Sequence, residues 1–257
     1  MSKYSHSPTS WQSSGKWYNE IVGQKGHHYH QTLILPKSLD LLAMENSANH
    51  SLLDLACGQG VLSRHIPSKA TYYGVDAASS LIKAANQYPH PSNQTFIQAD
   101  ATRELPIKKV DFTHASIILA LQNIEHPQQV FKNVFRHLAS KGKFLIIINH
   151  PCFRIPRQSS WQVDPNSKIQ YRRIDGYMSN MKIPIQTHPS RGEKSPQTWS
   201  FHYPLSTYFQ WLHEEGFVVQ QIEEWCSDKV SEGKTAKMEN RSRNEIPMFM
   251  AILAIKL

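Results

Sequence analysis

Cysteine is scarce in this chain of 257 residues: Cys57, Cys152 and Cys226 stand far apart and form no Cys-x-x-Cys pair. That excludes a disulfide-stapled scaffold and a cysteine zinc module, and makes a reducing cytoplasm the expected compartment. Long apolar runs are missing too. The longest clean one, Met248 to Ile255, falls well short of the roughly 18 residues of a membrane helix. The polar first 30 residues hold no apolar leader core, so the chain is expected to be soluble and cytoplasmic. Internal repeats and low-complexity tracts are absent as well, which removes repeat architectures. Acidic residues are in deficit, 20 Asp and Glu against 28 Lys and Arg, for a formal charge of +8.

That charge is uneven. Between His150 and Tyr203 stand Arg154, Arg157, Lys168, Arg172, Arg173, Lys182, Arg191 and Lys194 against Asp164, Asp175 and Glu193, a local excess of +5. Such a segment suits an anionic small molecule, a phosphate backbone or an acidic surface, and equally a solvated face. Charge alone does not choose among them.

The 40% hydrophobic content is enough for one substantial core, so one domain with insertions is expected over 1–257. From residue 51 onward, strand and helix patterns alternate. Strands are expected at Ser51–Leu55, Thr71–Val75, Thr95–Gln98, Val110–Leu119, Lys143–Asn149, Phe217–Trp225 and Met248–Lys256. Helices are expected at Ser79–Gln87, Pro127–Leu138 and Pro204–Glu215. This βαβ succession predicts an α/β fold with a mostly parallel sheet covered on both faces and a ligand outside the carboxyl ends of its strands. Residues 51–149 form the core of that pattern and 204–257 complete it. Residues 1–50, with a helix from Pro36 to Met44, form an N-terminal cap, and 150–203 an insertion after strand 5; both are expected beside the ligand.

Chemistry enters at Leu52-Leu53-Asp54-Leu55-Ala56-Cys57-Gly58-Gln59-Gly60, where an apolar strand runs into a glycine-bearing turn and a helix start. Glycine lets backbone N–H groups approach a ligand without interference from a Cβ. Two more acids follow at strand ends, Asp76 in Tyr73-Gly74-Val75-Asp76 and Asp100 in Phe96-Ile97-Gln98-Ala99-Asp100-Ala101. The set resembles the class I S-adenosylmethionine-dependent methyltransferases, whose first motif is an acid followed by Gly-x-Gly-x-Gly. Ala56 departs from it at the first glycine and is tolerated there if its φ is negative.

The resemblance implies a Rossmann-like seven-stranded sheet with a final hairpin, and S-adenosyl-L-methionine as cofactor. It assigns Asp76 to the ribose hydroxyls, Asp100 to the adenine amino group and the Ala101 N–H to a ring nitrogen. Asp54, Ala56, Gly58 and Gly60, then Ala77 and Ile117, complete the implied cofactor contacts. A nicotinamide dehydrogenase shares the strand, turn and distal acid, but its Gly-x-Gly-x-x-Gly has Ser63 at the last position here and leaves Asp100 unexplained.

A sulfonium cofactor brings its own activated methyl group, so the protein must chiefly align an acceptor and exclude water. If the acceptor is a hydroxyl, a histidine base helps. His150, at the end of the fifth strand, is the leading candidate, with a surface or core histidine as the other reading. Gln122 and Asn123 are placed to orient the acceptor, although Asn123 also suits a helix cap before Pro127. His27, His28 and His30 cluster without a Cys or acidic partner at useful spacing, so no metal is expected. Tyr18, Tyr29 or His30 is placed by the resemblance near the cofactor's methionyl end.

No Asn/Asp-Pro-Pro-Tyr/Phe turn follows the fourth strand, which argues against base-flipping amino methyltransferases. In the insertion, Phe153, Trp161, Tyr171, Tyr177, Trp199, Phe201 and Tyr203 interleave with the basic residues, as a substrate lid would or as a small core of its own. Residues Ser227 to Pro247 read as a solvated helix or loop. The resemblance is greatest to small-molecule and quinone-type methyltransferases and to uncharacterised bacterial relatives. A small-molecule methyl acceptor is the expected partner; an RNA acceptor, or adenosyl-ligand binding without catalysis, are the alternatives.

Overall fold

The computed structural model describes residues 11–186 and 197–257. Seven strands form one sheet: β1 (Ser51–Leu55), β2 (Thr71–Asp76), β3 (Gln94–Gln98), β4 (Phe112–Ile118), β5 (Leu138–Asn149), β10 (Phe217–Trp225) and β11 (Phe249–Lys256). Their spatial order is β10-β11-β5-β4-β1-β2-β3. From β5 to β3 every pair is parallel, while β11 runs antiparallel to both β5 and β10. This is the Rossmann-like sheet expected of the sequence, and its order reverses beside β1, where open α/β sheets place their ligand crevice.

Alternation along β5 shows why both faces are covered. Phe144, Ile146 and Ile148 join one apolar core while Leu145 and Ile147 join the other. Successive side chains of a strand point to opposite faces, so an unbroken apolar run requires cover on each. Helices α4 (Pro127–His137) and α5 (Leu205–Glu214) cover the first face through Phe131, Val134, Tyr208 and Leu212. The other face is covered by α2 (Leu35–Leu42), with Val22 from α1 (Gly15–Val22). Helix α3 (Ser79–Gln87) packs on β2 and β3.

Several boundaries differ from expectation for local reasons. The helix expected after Gly60 is only a 3-10 turn, Leu62–Arg64. Ser63 Oγ donates to the Gly60 carbonyl and Arg64 to the Gln59 carbonyl, so side chains take acceptors that a longer helix would use. Helix α2 is entered through a π-helical turn, His30–Ile34. Pro36, at the start of α2, has no N–H to return to an upstream carbonyl. The connection between β10 and β11 carries a helix, α6 (Ala236–Glu245), one of the two forms expected for Ser227 to Pro247.

The insertion consists of two antiparallel hairpins, β6 (Ser159–Asp164) with β7 (Ile169–Ile174) and β8 (Met181–Gln186) with β9 (Gln197–His202). Helix α6 docks on the first, Ser242 Oγ donating to the Gln170 carbonyl at 2.7 Å. The second leans on the segment after β4, where Lys182 Nζ lies 3.1 Å from Glu125 Oε1. Arg191, Glu193 and Lys194, part of the basic segment, lie outside the described residues.

Candidate cofactor and acceptor site

A cavity of about 640 Å³ opens at the carboxyl edge of the sheet. Ala56, Gly58, Asp76, Ala77, Asp100 and Ala101 line one end of it, and Leu119, Gln122, Asn123, Glu125 and His126, all after β4, line the other. The N-terminal cap contributes Trp11, Tyr18, His27 and His30, and the insertion contributes Ile185.

Asp76 holds the glycine turn and faces the cavity together. Its Oδ2 accepts the Gly58 N–H at 2.9 Å and its Oδ1 accepts the Ala78 N–H at 2.8 Å. A carboxylate oxygen has two lone pairs, so each keeps one for a ligand donor. Burial raises the carboxyl's proton affinity, and the two N–H bonds oppose that rise. Asp100 is anchored through Oδ1, which accepts from Thr102 N at 2.9 Å and Thr102 Oγ1 at 2.7 Å. Among the described residues its Oδ2 meets the Arg103 guanidinium alone, at 3.6 Å. Beside it, the N–H of buried Ala101 has no partner among the described residues. An acceptor and an adjacent unmet donor on one wall match the edge of an adenine ring.

Besides Tyr29, four residues that the sequence placed at the site lie away from the cavity wall. Asp54 is buried, its Oδ1 accepting from Ser116 Oγ at 2.6 Å and its Oδ2 from Tyr72 Oη at 2.7 Å. Burial raises its pKa to about 6 despite those bonds. It ties β1 to β2 and β4. Gly60 has φ +73°, and a Cβ there would sit 2.6 Å from Phe96, so the glycine serves packing under the turn. Ile117 is fully buried in the sheet's core.

His150 is the fourth. It is 1% exposed, its Nδ1 accepting the Cys152 N–H at 3.2 Å and its Nε2 donating to Glu224 Oε1 at 2.6 Å. Nε2 joins the β5 end to β10 and Nδ1 is taken by the loop that follows β5, so it is no free base. Strand position placed it correctly; the direction of its side chain, set by Glu224, was invisible in the sequence.

Ala56 also overturns an expectation. Its φ is +53°, in the left-handed region that an L-residue enters at a cost of about 1–2 kcal/mol. Leu119, at the cavity's other end, has φ +53° as well and donates its N–H to the Ile147 carbonyl at 2.7 Å. Strained backbone of this kind concentrates at functional sites, and no feature of the sequence marks Leu119 for it.

Gln122 reaches the cavity with a fixed orientation. Its Nε2 donates to the Leu119 carbonyl at 2.8 Å, and its buried Oε1 has no partner among the described residues. Asn123 lines the cavity instead of capping α4, whose N-cap is His126. His27 and His30 stack with ring centroids 4.0 Å apart. Burial and the neighbouring ring hold His30 at about 3, and burial lowers His27 too, so both rings are neutral at physiological pH. His28 turns outward to Asp228 at 2.9 Å, and Tyr29 bonds Ser227 Oγ, so neither joins the cavity.

Residues 53–146 match a family described as a methyltransferase domain. The chain is 34% identical over 107 residues to an uncharacterised methyltransferase of Schizosaccharomyces pombe, covering 38% of this chain and 40% of that one. It is 28% identical over 149 residues to the demethylmenaquinone methyltransferase of Lactococcus lactis, covering 55% of this chain and 56% of that one. The matched segment thus spans about half the length of these relatives. An S-adenosylmethionine-dependent methyltransferase structure from Mesorhizobium loti superposes with a TM-score of 0.66 over 86% of this chain and 96% of that one, at 22% identity, which establishes a shared fold.

Proposed function

We propose, for a chain whose fold and central domain are those of a class I S-adenosylmethionine-dependent methyltransferase, that it transfers the methyl group of this cofactor to a small or medium-sized acceptor. The carrying observation is one cavity with two chemically distinct ends. At one end Asp76 and Asp100 keep free lone pairs and Ala101 an unmet N–H, which fits the ribose hydroxyls and the adenine edge. The other end runs from Leu119 to His126, and His27 and His30 of the cap line the same cavity.

When bound, the cofactor supplies an electrophilic methyl on a positively charged sulfur. The chain's own residues orient and dry the site. The turn at Gly58 is clamped by Asp76, so ribose recognition and turn geometry share one carboxylate. Gln122, held by the Leu119 carbonyl, presents an acceptor oxygen to an N–H or O–H of the second substrate. His27 and His30, kept neutral by burial, add no positive charge beside a cationic cofactor. His27, half-buried on the cavity wall, bonds no other side chain among the described residues and is placed to take a proton from the acceptor.

Calorimetry tests this reading. S-adenosylmethionine binds the native protein, and Asp76→Ala weakens it at least tenfold, because the charged acceptor and the clamp on Gly58 disappear together. No heat of binding with the native protein would refute it.

A further inference from the structure

Among the insertion's described basic residues, Arg157, Lys168, Arg173 and Lys182 are exposed, whereas Arg154 and Arg172 are partly buried. Arg154, just after β5, and Arg172, on β7, both lie against Trp161, with guanidinium carbons 6.0 Å and 5.3 Å from the ring centroid. Arg172 is positioned by donating Nε to the Phe153 carbonyl at 2.8 Å and Nη2 to Ser159 Oγ at 2.7 Å. Arg154 is different. Among the described residues it has no hydrogen-bond acceptor and no acid within ion-pair distance, and its Nε is buried without a partner. Burial, and then the charge of Arg154, lowers Arg172 to about 10. Two neighbouring guanidiniums, partly buried and with no counter-charge among the described residues, form a site that an anion stabilises.

Its place in the fold ties this pair to the methyl-transfer site. Arg154 lines a small second cavity of about 20 Å³ with Gln122, Asn149, Ser200, His202 and Tyr208. Gln122 and Asn149 also line the main cavity, so the two share a wall. There, the unpartnered Arg154 Nε is a donor and the unpartnered Gln122 Oε1 an acceptor. One ligand satisfies both if it carries an oxyanion and, nearby, an O–H or N–H. So small a cavity takes a single compact head group, whereas a nucleic-acid strand needs a long groove with stacking faces.

Resting on the methyl-transfer reading, we propose that the acceptor is an anionic small molecule whose carboxylate or phosphate is bound by Arg154, with Arg172 reinforcing the charge. Arg154 is then a specificity-determining residue. The planar fork of arginine pairs with such groups through two parallel hydrogen bonds, and Trp161 keeps both guanidiniums in place.

Trp161 makes the site observable. Benzoate and inorganic phosphate are titrated separately into the full-length protein at fixed ionic strength, following tryptophan fluorescence, with Trp161→Phe identifying the responding ring. At least one anion produces a saturable change, and the tighter of the two identifies the head group. Arg154→Gln weakens that binding tenfold or more, while Arg154→Lys, which keeps the charge, recovers part of it. Calorimetry run in parallel shows both variants binding S-adenosylmethionine as the native protein does. That control establishes that they fold, and failure of the methyl-transfer reading would appear there alone. Saturation by neither anion, or equal affinity in Arg154→Gln, overturns the proposal. So does tighter, steeply salt-dependent binding of a ten-nucleotide oligouridylate, which would make the pair part of a nucleic-acid track.

Discussion

Replacing Asp54 with Asn separates a structural carboxylate from a ligand-binding one. Asp54 is 3% exposed, and burial moves its pKa from 3.8 to about 6 in the fold. The folded state therefore holds its proton more tightly than the unfolded chain. Its contribution is greatest below the unfolded value, declines as pH rises from about 4 to 6, and is gone above that window. At pH 8 the ionised group costs the fold about 3 kcal/mol relative to a neutral one. Asn is that neutral group in the same shape. Its Oδ1 keeps the Ser116 hydroxyl now at 2.6 Å, and its amide donates to Tyr72 Oη once that hydroxyl turns towards the adjacent Cys57 sulfur. Losing two charge-assisted bonds offsets part of the gain, so Asp54→Asn should raise unfolding free energy at pH 8 by about 1–2 kcal/mol. At pH 5, where the native carboxyl is mostly protonated, the advantage should shrink by about 1 kcal/mol. Urea unfolding followed by circular dichroism at both pH values reads the difference directly. Because Asp54 is absent from the cavity wall, S-adenosylmethionine affinity should stay unchanged. A variant destabilised at pH 8, or one whose difference from the native protein is the same at both pH values, would refute the reasoning.

Other outcomes follow from backbone strain and from the end of β5. Ala56→Gly relieves a φ of +53°, worth about 1–2 kcal/mol, against about 0.5–1 kcal/mol for the freer unfolded chain, so thermal unfolding should shift up by about 1–3 °C; a lower midpoint by calorimetric scanning would contradict this. His150→Gln should reduce stability by about 1–3 kcal/mol through loss of the Glu224 bond while leaving the rate of methyl transfer unaltered, and a slowed reaction in a stably folded variant would return His150 to the catalytic list. Burial lowers the His150 pKa, outweighing Glu224, so the ring is kept neutral in the fold. Its contribution to stability is complete above the ordinary value of 6.5 and is lost as pH falls below it, a slope that His150→Gln should remove.

Much of the architecture was legible because its signals are local. The parallel strands are short apolar runs buried on both faces, and β1, buried at all five positions, is read correctly to the residue. Helix α3 matches its expected limits for the same reason, with Leu81, Ile82 and Ala85 recurring on one face. The hairpins of the insertion were not read, since their exposed, alternating polar positions carry weak periodicity. The position of a residue at a strand end was equally legible, which is why Asp76, Asp100 and Gln122 do meet at one cavity.

By itself, then, the sequence determined the α/β sheet, the glycine turn after β1 and the acids at two successive strand ends, all consequences of residue order over a few positions. Which of those groups face a ligand was set by the packing of distant segments. Asp54 and Asp76 both end strands, yet Ser116 and Tyr72 consume the first while Asp76 keeps lone pairs for the cavity. His150 was drawn away by Glu224, 74 residues distant in the chain, and Arg154 was left beside Arg172 with no counter-charge among the described residues. A side chain's function depends on which of its hydrogen-bonding sites remain unfilled after folding, and that is set by partners from distant segments, which no local pattern encodes.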